Sequence, residues 1–147
     1  MKWIAVFTLA LGYCLCKKDS NESYRSHGRL SQVAFSAALY ESKSGNTGPF
    51  SAATPLRYKK VFSNAGNGYN PSTDSGANSV VSLMKNGKRL TSVWDTSGTD
   101  SNDMGSNAVV IPLQVGDNVY VELQQNRVVY DDNMNYNTFS GFFLFAL

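Results

Sequence analysis

The sequence has few of the residues that usually mark catalysis, metal binding or covalent crosslinking. Its 147 residues include one histidine and two cysteines, and only 16% of them are charged. It contains no G-x-S-x-G motif, no glycine-rich phosphate loop and no paired glutamates, so we predict that the protein is not an enzyme. The formal net charge is +2 and the charges are spread along the chain, which argues against a nucleic-acid partner.

The N-terminus has the order of a secretory signal peptide. Lys2 precedes an apolar run from Trp3 to Leu15, and the small residues Cys14 and Cys16 stand at the positions expected before a cleavage site. The run is shorter than the roughly 20 residues of a membrane-spanning helix, so we expect no membrane span. We therefore predict a signal peptide over residues 1–16 and a secreted, extracellular protein. Cleavage there would leave a chain without cysteine and without a disulfide.

A polar arm follows the signal peptide. Residues 17–31 contain almost no apolar side chains and no periodicity, which predicts an exposed N-terminal arm. The arm holds the N-x-Ser/Thr sequon Asn21-Glu22-Ser23, so we predict glycosylation of Asn21 in a secreted chain. The single histidine, His27, also lies here, without a neighbouring carboxylate or second histidine, and we expect it to be exposed to solvent.

The rest of the chain has the pattern of strands and turns. Asn, Ser and Gly are abundant where helices would need Ala, Leu, Glu and Lys, which favours an all-β fold. Two strand-like runs joined by Asn86-Gly87 predict a β-hairpin, because this pair suits a tight turn with positive φ at both positions. Pro112 interrupts the run from Ala108 to Val115, which predicts an edge strand or a bulge.

Two later segments predict strands with different environments. Val119, Val121 and Leu123 alternate with polar residues at a period of two, so Tyr120 is expected to face away from the core. The chain closes with an apolar run from Thr138 to Leu147. Because chain ends normally fray, a terminus this apolar predicts a central strand, covered on one side by the opposite sheet and on the other by a second subunit.

Six segments along the chain together resemble the globular head domain of complement C1q, in the C1q/tumour-necrosis-factor superfamily, and its cerebellin-like members most. They are Val33–Ala37, Pro55–Phe62, Tyr69–Pro71, Ser82–Gly87, Val115–Val121 and Tyr136–Phe142. The resemblance covers residues 32–147 and implies a jelly-roll sandwich of two antiparallel sheets. It also implies a homotrimer that acts as an extracellular binding module.

The implied trimer would explain the two exposed strand faces. Tyr120, Phe139 and Phe142 are the residues that we expect at the interface between subunits, because outward aromatic side chains gain burial only if subunits pack together. Two functions remain open. The first is a ligand for a cell-surface protein receptor, and the second is a lectin-like module of innate immunity that recognises microbial or glycan surfaces.

One departure from the family concerns the middle of the domain. After Tyr69-Asn70-Pro71 the family carries an F-x-A-P-x-x-G-x-Y-x-F segment, whereas here the chain runs from Pro71 directly towards the hairpin. We expect an internal deletion near residues 73–78, with roughly 20 residues of central strands missing and ladder edges left unpaired. The jelly roll would then be incomplete, and a third reading is a non-functional product of splicing or of the gene model.

Aspartates in a polar loop give the main candidate metal site. Calcium prefers several oxygen ligands, which Asp95 and Asp103, with Asp100 between them, could supply after the hairpin. Asp95 and Asp103 match the acidic pair that holds calcium in some family members. The alternative is that these acids are only solvated, and Asp131-Asp132 is a second, weaker candidate. No cofactor is required on this interpretation, and calcium is the one ion that it suggests.

Overall fold

The computed structural model describes residues 2–10, 33–65, 80–94 and 105–146, and within these ranges the chain forms β-strands, turns and loops. All strand pairs are antiparallel. The strands are β1 (Lys2–Ala10), β2 (Ala34–Ala38), β3 (Gly45–Thr47), β4 (Thr54–Pro55), β5 (Lys60–Ala65), β6 (Val80–Lys85), β7 (Lys88–Trp94), β8 (Asn107–Gln114), β9 (Val119–Leu123), β10 (Val129–Asp131) and β11 (Thr138–Ala146).

The strands form a five-stranded sheet, a four-stranded sheet and a two-stranded ribbon. Their orders are β5-β2-β11-β1-β8, β4-β9-β6-β7 and β10-β3. This all-β, antiparallel arrangement confirms the predicted fold class and is consistent with a jelly roll. Strand β11 lies at the centre of the larger sheet and β8, which contains Pro112, lies at its edge, as the sequence predicts.

Local sequence sets the tight connections. Asn86 and Gly87 join β6 to β7 with φ values of 50° and 78°, which confirms the predicted hairpin turn. Gly116 has a φ of 94° in the turn between β8 and β9. Both glycines adopt backbone conformations that side-chain-bearing residues rarely reach, so they fix the positions of the two turns.

The two larger sheets share one hydrophobic core. The five-stranded sheet contributes Phe7, Phe35 and Phe139, and the four-stranded sheet contributes residues such as Leu83 and Val121. Phe139 packs edge-on against Phe35 at a centroid distance of 5.0 Å. Side chains from both sheets therefore fill a common interior, as in a β-sandwich.

The position of the N-terminal segment differs from expectation. Sequence analysis predicts that residues 1–16 are removed as a signal peptide, whereas Lys2–Ala10 here form β1 and pair with β8 on one side and β11 on the other. Ala5 and Phe7 are buried in the core. An apolar segment long enough for a strand fits this position, because the facing edges of β8 and β11 would otherwise lack partners. Cleavage of the signal peptide itself stays a prediction.

Two other predicted features lie outside the described residues. These are the N-terminal arm, residues 17–31, and the expected deletion near residues 73–78.

Candidate interaction surface

The outward side of the five-stranded sheet carries an apolar row that crosses the strands. In register, Ala65 pairs with Ala34 and Ala34 pairs with Phe142, while Phe142 and Val110 pair with the same backbone position of β1 from opposite sides. Phe142 is 44% exposed and Val110 is 58% exposed. We call this surface, together with the exposed Leu144 on β11, the outer face. Exposed apolar side chains that share one sheet face are typical of a protein contact surface.

A row of small polar residues lies beside the apolar row. Ser36 on β2 pairs with Ser140 on β11, and their hydroxyl oxygens are 2.8 Å apart. On the other side Ser36 pairs with Ser63 on the edge strand β5. Small side chains here leave the neighbouring Phe142 projecting from the outer face, where a second protein surface could reach it.

The three predicted interface residues lie in three different environments. Phe142 is exposed on the outer face, and its place at a subunit interface stays a prediction. Phe139 is only 2% exposed and belongs to the core, so it contributes no surface to an interface of this protomer. Residues 139 and 142 are three apart, and the two-residue period of a strand directs them to opposite faces. The alternation along β11 was the signal that the prediction missed.

Tyr120 lies on the other large sheet. It pairs with Met84 across β9 and β6, and it is half-buried. Its neighbour Val121 is buried in the core, so the strand alternation directs Tyr120 to the opposite face, as the sequence predicts. Tyr120 and Phe142 therefore belong to separate surfaces. The structure does not bring the three predicted interface residues together.

A second exposed aromatic group surrounds the turn between β10 and β11. The rings of Tyr130 and Tyr136 lie 6.5 Å apart, and the Tyr130 hydroxyl donates a 3.0 Å hydrogen bond to Asp132 Oδ2. This hydrogen bond, together with partial desolvation and nearby negative charge, raises the pKa of Tyr130 above its usual value. With the exposed Met134, these residues form what we call the loop aromatic cluster. Aromatic and methionine side chains are enriched where proteins recognise one another.

The neighbouring Asp131 has a structural role. Its side chain is fully buried, Oδ2 accepts a 3.0 Å hydrogen bond from the Tyr40 backbone N–H, and Oδ1 accepts one of 3.2 Å from the Asn137 backbone N–H. Burial raises the pKa of Asp131, and the backbone hydrogen bonds oppose that rise. Because Asp131 points inwards while Asp132 bonds the exposed Tyr130, the two carboxylates do not converge on one ion.

The remaining predicted site residues are the loop aspartates and the glycosylation site. Asp95 and Asp103, the expected calcium ligands, and Asn21, the expected glycosylation site, lie outside the described residues. Within the described ranges, no group of three or more histidine, cysteine, aspartate or glutamate side chains could hold a metal ion.

A polar cluster fastens the edge strand β8 to the four-stranded sheet. Lys85 Nζ forms a 2.9 Å ion pair with Asp117 Oδ2 and donates a 2.8 Å hydrogen bond to the Pro112 carbonyl. Asn86 Nδ2 donates to Asp117 Oδ1 at 2.7 Å, and the Gln114 backbone N–H donates to Asp117 Oδ2 at 2.8 Å. These donors, the Lys85 side chain foremost, lower the pKa of Asp117 from 3.8 to about 2. We call this group the turn cluster.

Residues 72–144, which include the described strands β6 to β10 and most of β11, match the family model of the C1q domain. The match supports a C1q-domain protein. C1q domains are generally non-enzymatic binding modules that trimerise, and proteins that contain them are commonly extracellular.

A curated relative carries a similar segment. The chain is 28% identical to Caprin-2 of Danio rerio over an alignment of 136 positions, gaps included, which covers 78% of this chain and 14% of the relative. The chain therefore spans about one seventh of the length of that protein. Among the described residues, none forms a helix long and apolar enough to cross a membrane.

Proposed function

We propose that the protein is a secreted, non-enzymatic C1q-type binding module, cerebellin-like in subtype, that assembles as a homotrimer and acts as a ligand for a cell-surface protein receptor. The observation that carries this proposal is the outer face, where Phe142 and Leu144 are exposed on β11, a strand that lies outside residues 1–16. Contact with other copies would remove this apolar surface from water, which stabilises an assembly by roughly 25 cal/mol for each Å² buried.

The loop aromatic cluster supports a protein receptor as the partner. Met134 and Tyr136 are exposed on the connection between β10 and β11, and Tyr130 is exposed on β10 beside it, whereas the proposed subunit contact lies on the face of the larger sheet. Binding residues are often carried by loops that a rigid sheet holds in position. A trimer would present three copies of this cluster, so a receptor with several binding sites would gain affinity through multivalency.

The lectin-like alternative depends on calcium at Asp95 and Asp103. Sugar binding that requires calcium would favour this alternative. Receptor binding that persists in chelator, and in the presence of sugars, would favour the protein ligand.

The expected internal deletion supports a third possibility, a shortened product without the family function. The Caprin-2 alignment is 136 positions long, gaps included, but it covers only about 115 residues of this chain, which is 78% of 147. The relative therefore has residues within the alignment that face gaps in this chain. The family match also begins at residue 72, directly after the turn where we expect the deletion. A product of this kind would be secreted poorly and would aggregate, because exposed strand edges and apolar surface favour association.

The test is size-exclusion chromatography with light scattering on the secreted protein, in calcium and in chelator. We expect a monodisperse species of three times the protomer mass. Phe142→Asp should reduce it to the protomer mass, because each subunit contact would then bury a charge. Tyr136→Asp is the matched control, since Tyr136 is 46% exposed and Phe142 is 44% exposed. It should leave the trimer intact and weaken binding to receptor-bearing cells.

Three results would contradict the proposal. A secreted protein that stays monomeric at all concentrations would show that the proposed trimer does not form. Cell binding that is unchanged by Tyr136→Asp would show that the loop aromatic cluster does not contact the receptor. Aggregation, or failure of secretion, would favour the shortened, non-functional product.

A further inference from the structure

The larger sheet contains a slot for one strand, and the most N-terminal segment fills it. We define the strand slot as the space between β8 and β11, which β1 (Lys2–Ala10) occupies antiparallel to both neighbours. On the core side the slot is lined by Phe35 and Phe139. Phe7 of β1 packs against both residues, with its ring centroid 6.3 Å from that of Phe35 and 6.0 Å from that of Phe139.

The two strands that border the slot, β8 and β11, are each held in place by contacts that do not involve β1; we call them the walls of the slot. On one side β11 pairs with β2. On the other side the turn cluster fastens β8 near Pro112 through Lys85, and Asn107 Nδ2 at the opposite end of β8 donates a 2.6 Å hydrogen bond to Thr91 Oγ1 on β7. Because each wall has its own attachments, removal of β1 would leave two facing strand edges with unpaired backbone groups. Such edges accept an extended peptide.

The core side of the strand slot has space for an aromatic side chain at one position. Gly141 on β11 pairs with Phe7 of β1 and with Phe35 of β2. A Cβ at residue 141 would lie 2.7 Å from Phe35 Cε1 and 2.8 Å from Phe7 Cδ1, so the two rings use the space that glycine leaves. The buried Ala5, two residues earlier, occupies the same side of the bound strand. The slot therefore fits an extended apolar peptide with a small residue and then an aromatic residue at alternate positions.

The same nine residues lie inside the predicted signal peptide, and one segment cannot be both removed and retained in the sheet. We propose that the strand slot is a binding site for an extended apolar peptide, and that its occupant is the chain's own Lys2–Ala10 segment. Cleavage of the leader vacates the slot, and the shortened chain then binds the same segment when it is supplied as a separate peptide. Processing of the N-terminus thus switches the domain between a closed sheet and an open one.

The experiment uses the full chain, produced without passage through a secretory pathway so that residues 1–16 are kept. A protease site introduced within residues 17–31 allows the purified, folded protein to be cut after assembly. Size-exclusion chromatography followed by mass spectrometry then shows whether the N-terminal fragment stays with the remainder. We expect one fragment to be retained per chain, because the strand pairing and the Phe7 contacts do not depend on the covalent connection.

Two variants with the same change of side chain give the comparison. Phe7→Asp should release the fragment after cutting, since it puts a charge among Phe35 and Phe139. Phe142→Asp, on the exposed side of β11, should retain it even if the variant no longer trimerises. This second result separates the slot from the proposed assembly, because loss of the trimer and loss of the fragment are measured independently.

A peptide-exchange measurement covers the case in which Phe7→Asp does not fold. The cut wild-type protein is incubated with fluorescent KWIAVFTLA peptide, or with the same peptide carrying aspartate at the Phe7 position. We expect the aspartate peptide to bind at least about 100-fold more weakly, which is the scale of losing a buried phenylalanine. Release of the fragment from the cut wild type would overturn the proposal, whether the remainder stays monomeric or pairs with a second copy. Equal binding of both peptides would overturn it as well.

Discussion

The ring of Phe7 stacks on the ring of Phe139, with centroids 6.0 Å apart and an interplanar angle of 20°. The first residue comes from an apolar segment with the features of a secretory leader, and the second comes from the central strand of the larger sheet. Because of this contact, we expect the stability of the domain to depend on whether the N-terminal segment is retained or removed.

The uncut full chain should lose stability when Phe7 is truncated. We expect Phe7→Ala to lower the free energy of unfolding by about 3–5 kcal/mol, because it removes a buried ring and leaves a cavity. Phe142→Ala, in an exposed position on β11, should cost about 1 kcal/mol or less in the monomer. Chemical denaturation at fixed protein concentration measures both values. Equal effects of the two variants would mean that the N-terminal segment lies outside the folded core.

Filling the space at Gly141 should also destabilise the domain. Gly141→Ala places a methyl group against the ring edges of Phe35 and Phe7, and we expect a loss of about 1–3 kcal/mol from overpacking. Phe7→Leu in the same chain should relieve part of this loss, because the smaller side chain moves away from residue 141. A double-mutant cycle should give a coupling energy of about 0.5–3 kcal/mol, whereas strictly additive effects would place Phe7 away from Gly141.

The turn cluster should weaken in acid. The Lys85 side chain and the other donors to Asp117 depress its pKa to about 2 in the folded state, below the ordinary value of 3.8. A depressed folded-state pKa gives stability that is present above pH 3.8 and is lost as the pH falls towards 2. Asp117→Asn should therefore flatten the dependence of unfolding free energy on pH in this range. NMR titration of the Asp117 carboxyl checks the pKa itself, and a value near 3.8 would contradict the proposed contacts.

The buried Asp131 should show the opposite dependence on pH. Burial raises its folded-state pKa, so this group favours folding most below about pH 3.8 and contributes less as the pH rises through the raised value. At neutral pH we expect Asp131→Asn to cost about 1–3 kcal/mol, because an amide has one acceptor oxygen for the two backbone donors of Tyr40 and Asn137. Asp132→Asn is the matched control and should change stability much less. An equal loss in both variants would contradict this assignment.

The predictable part of the fold lies in its local features. Asn86-Gly87 specified a hairpin turn, Pro112 specified an edge strand, and the alternation around Val121 placed Tyr120 away from the core. The same alternation, applied to β11, would have separated Phe139 from Phe142. The aspartates at 131 and 132 could not be assigned in this way, because their roles depend on Tyr40 and Asn137, which approach them only in the folded chain.

The sequence by itself determined the all-β class, the tight turns and the periodicity of each strand. These features follow from backbone preferences and from neighbours one or two residues away, so they can be deduced without the fold. The tertiary structure decided that Lys2–Ala10 lies between β8 and β11, that Gly141 leaves space for two rings, and that Asp131 is buried. Each of these outcomes depends on which distant strand edges lack partners and on which side chains meet in the core, and hydrophobic patterning along a single segment does not contain that information.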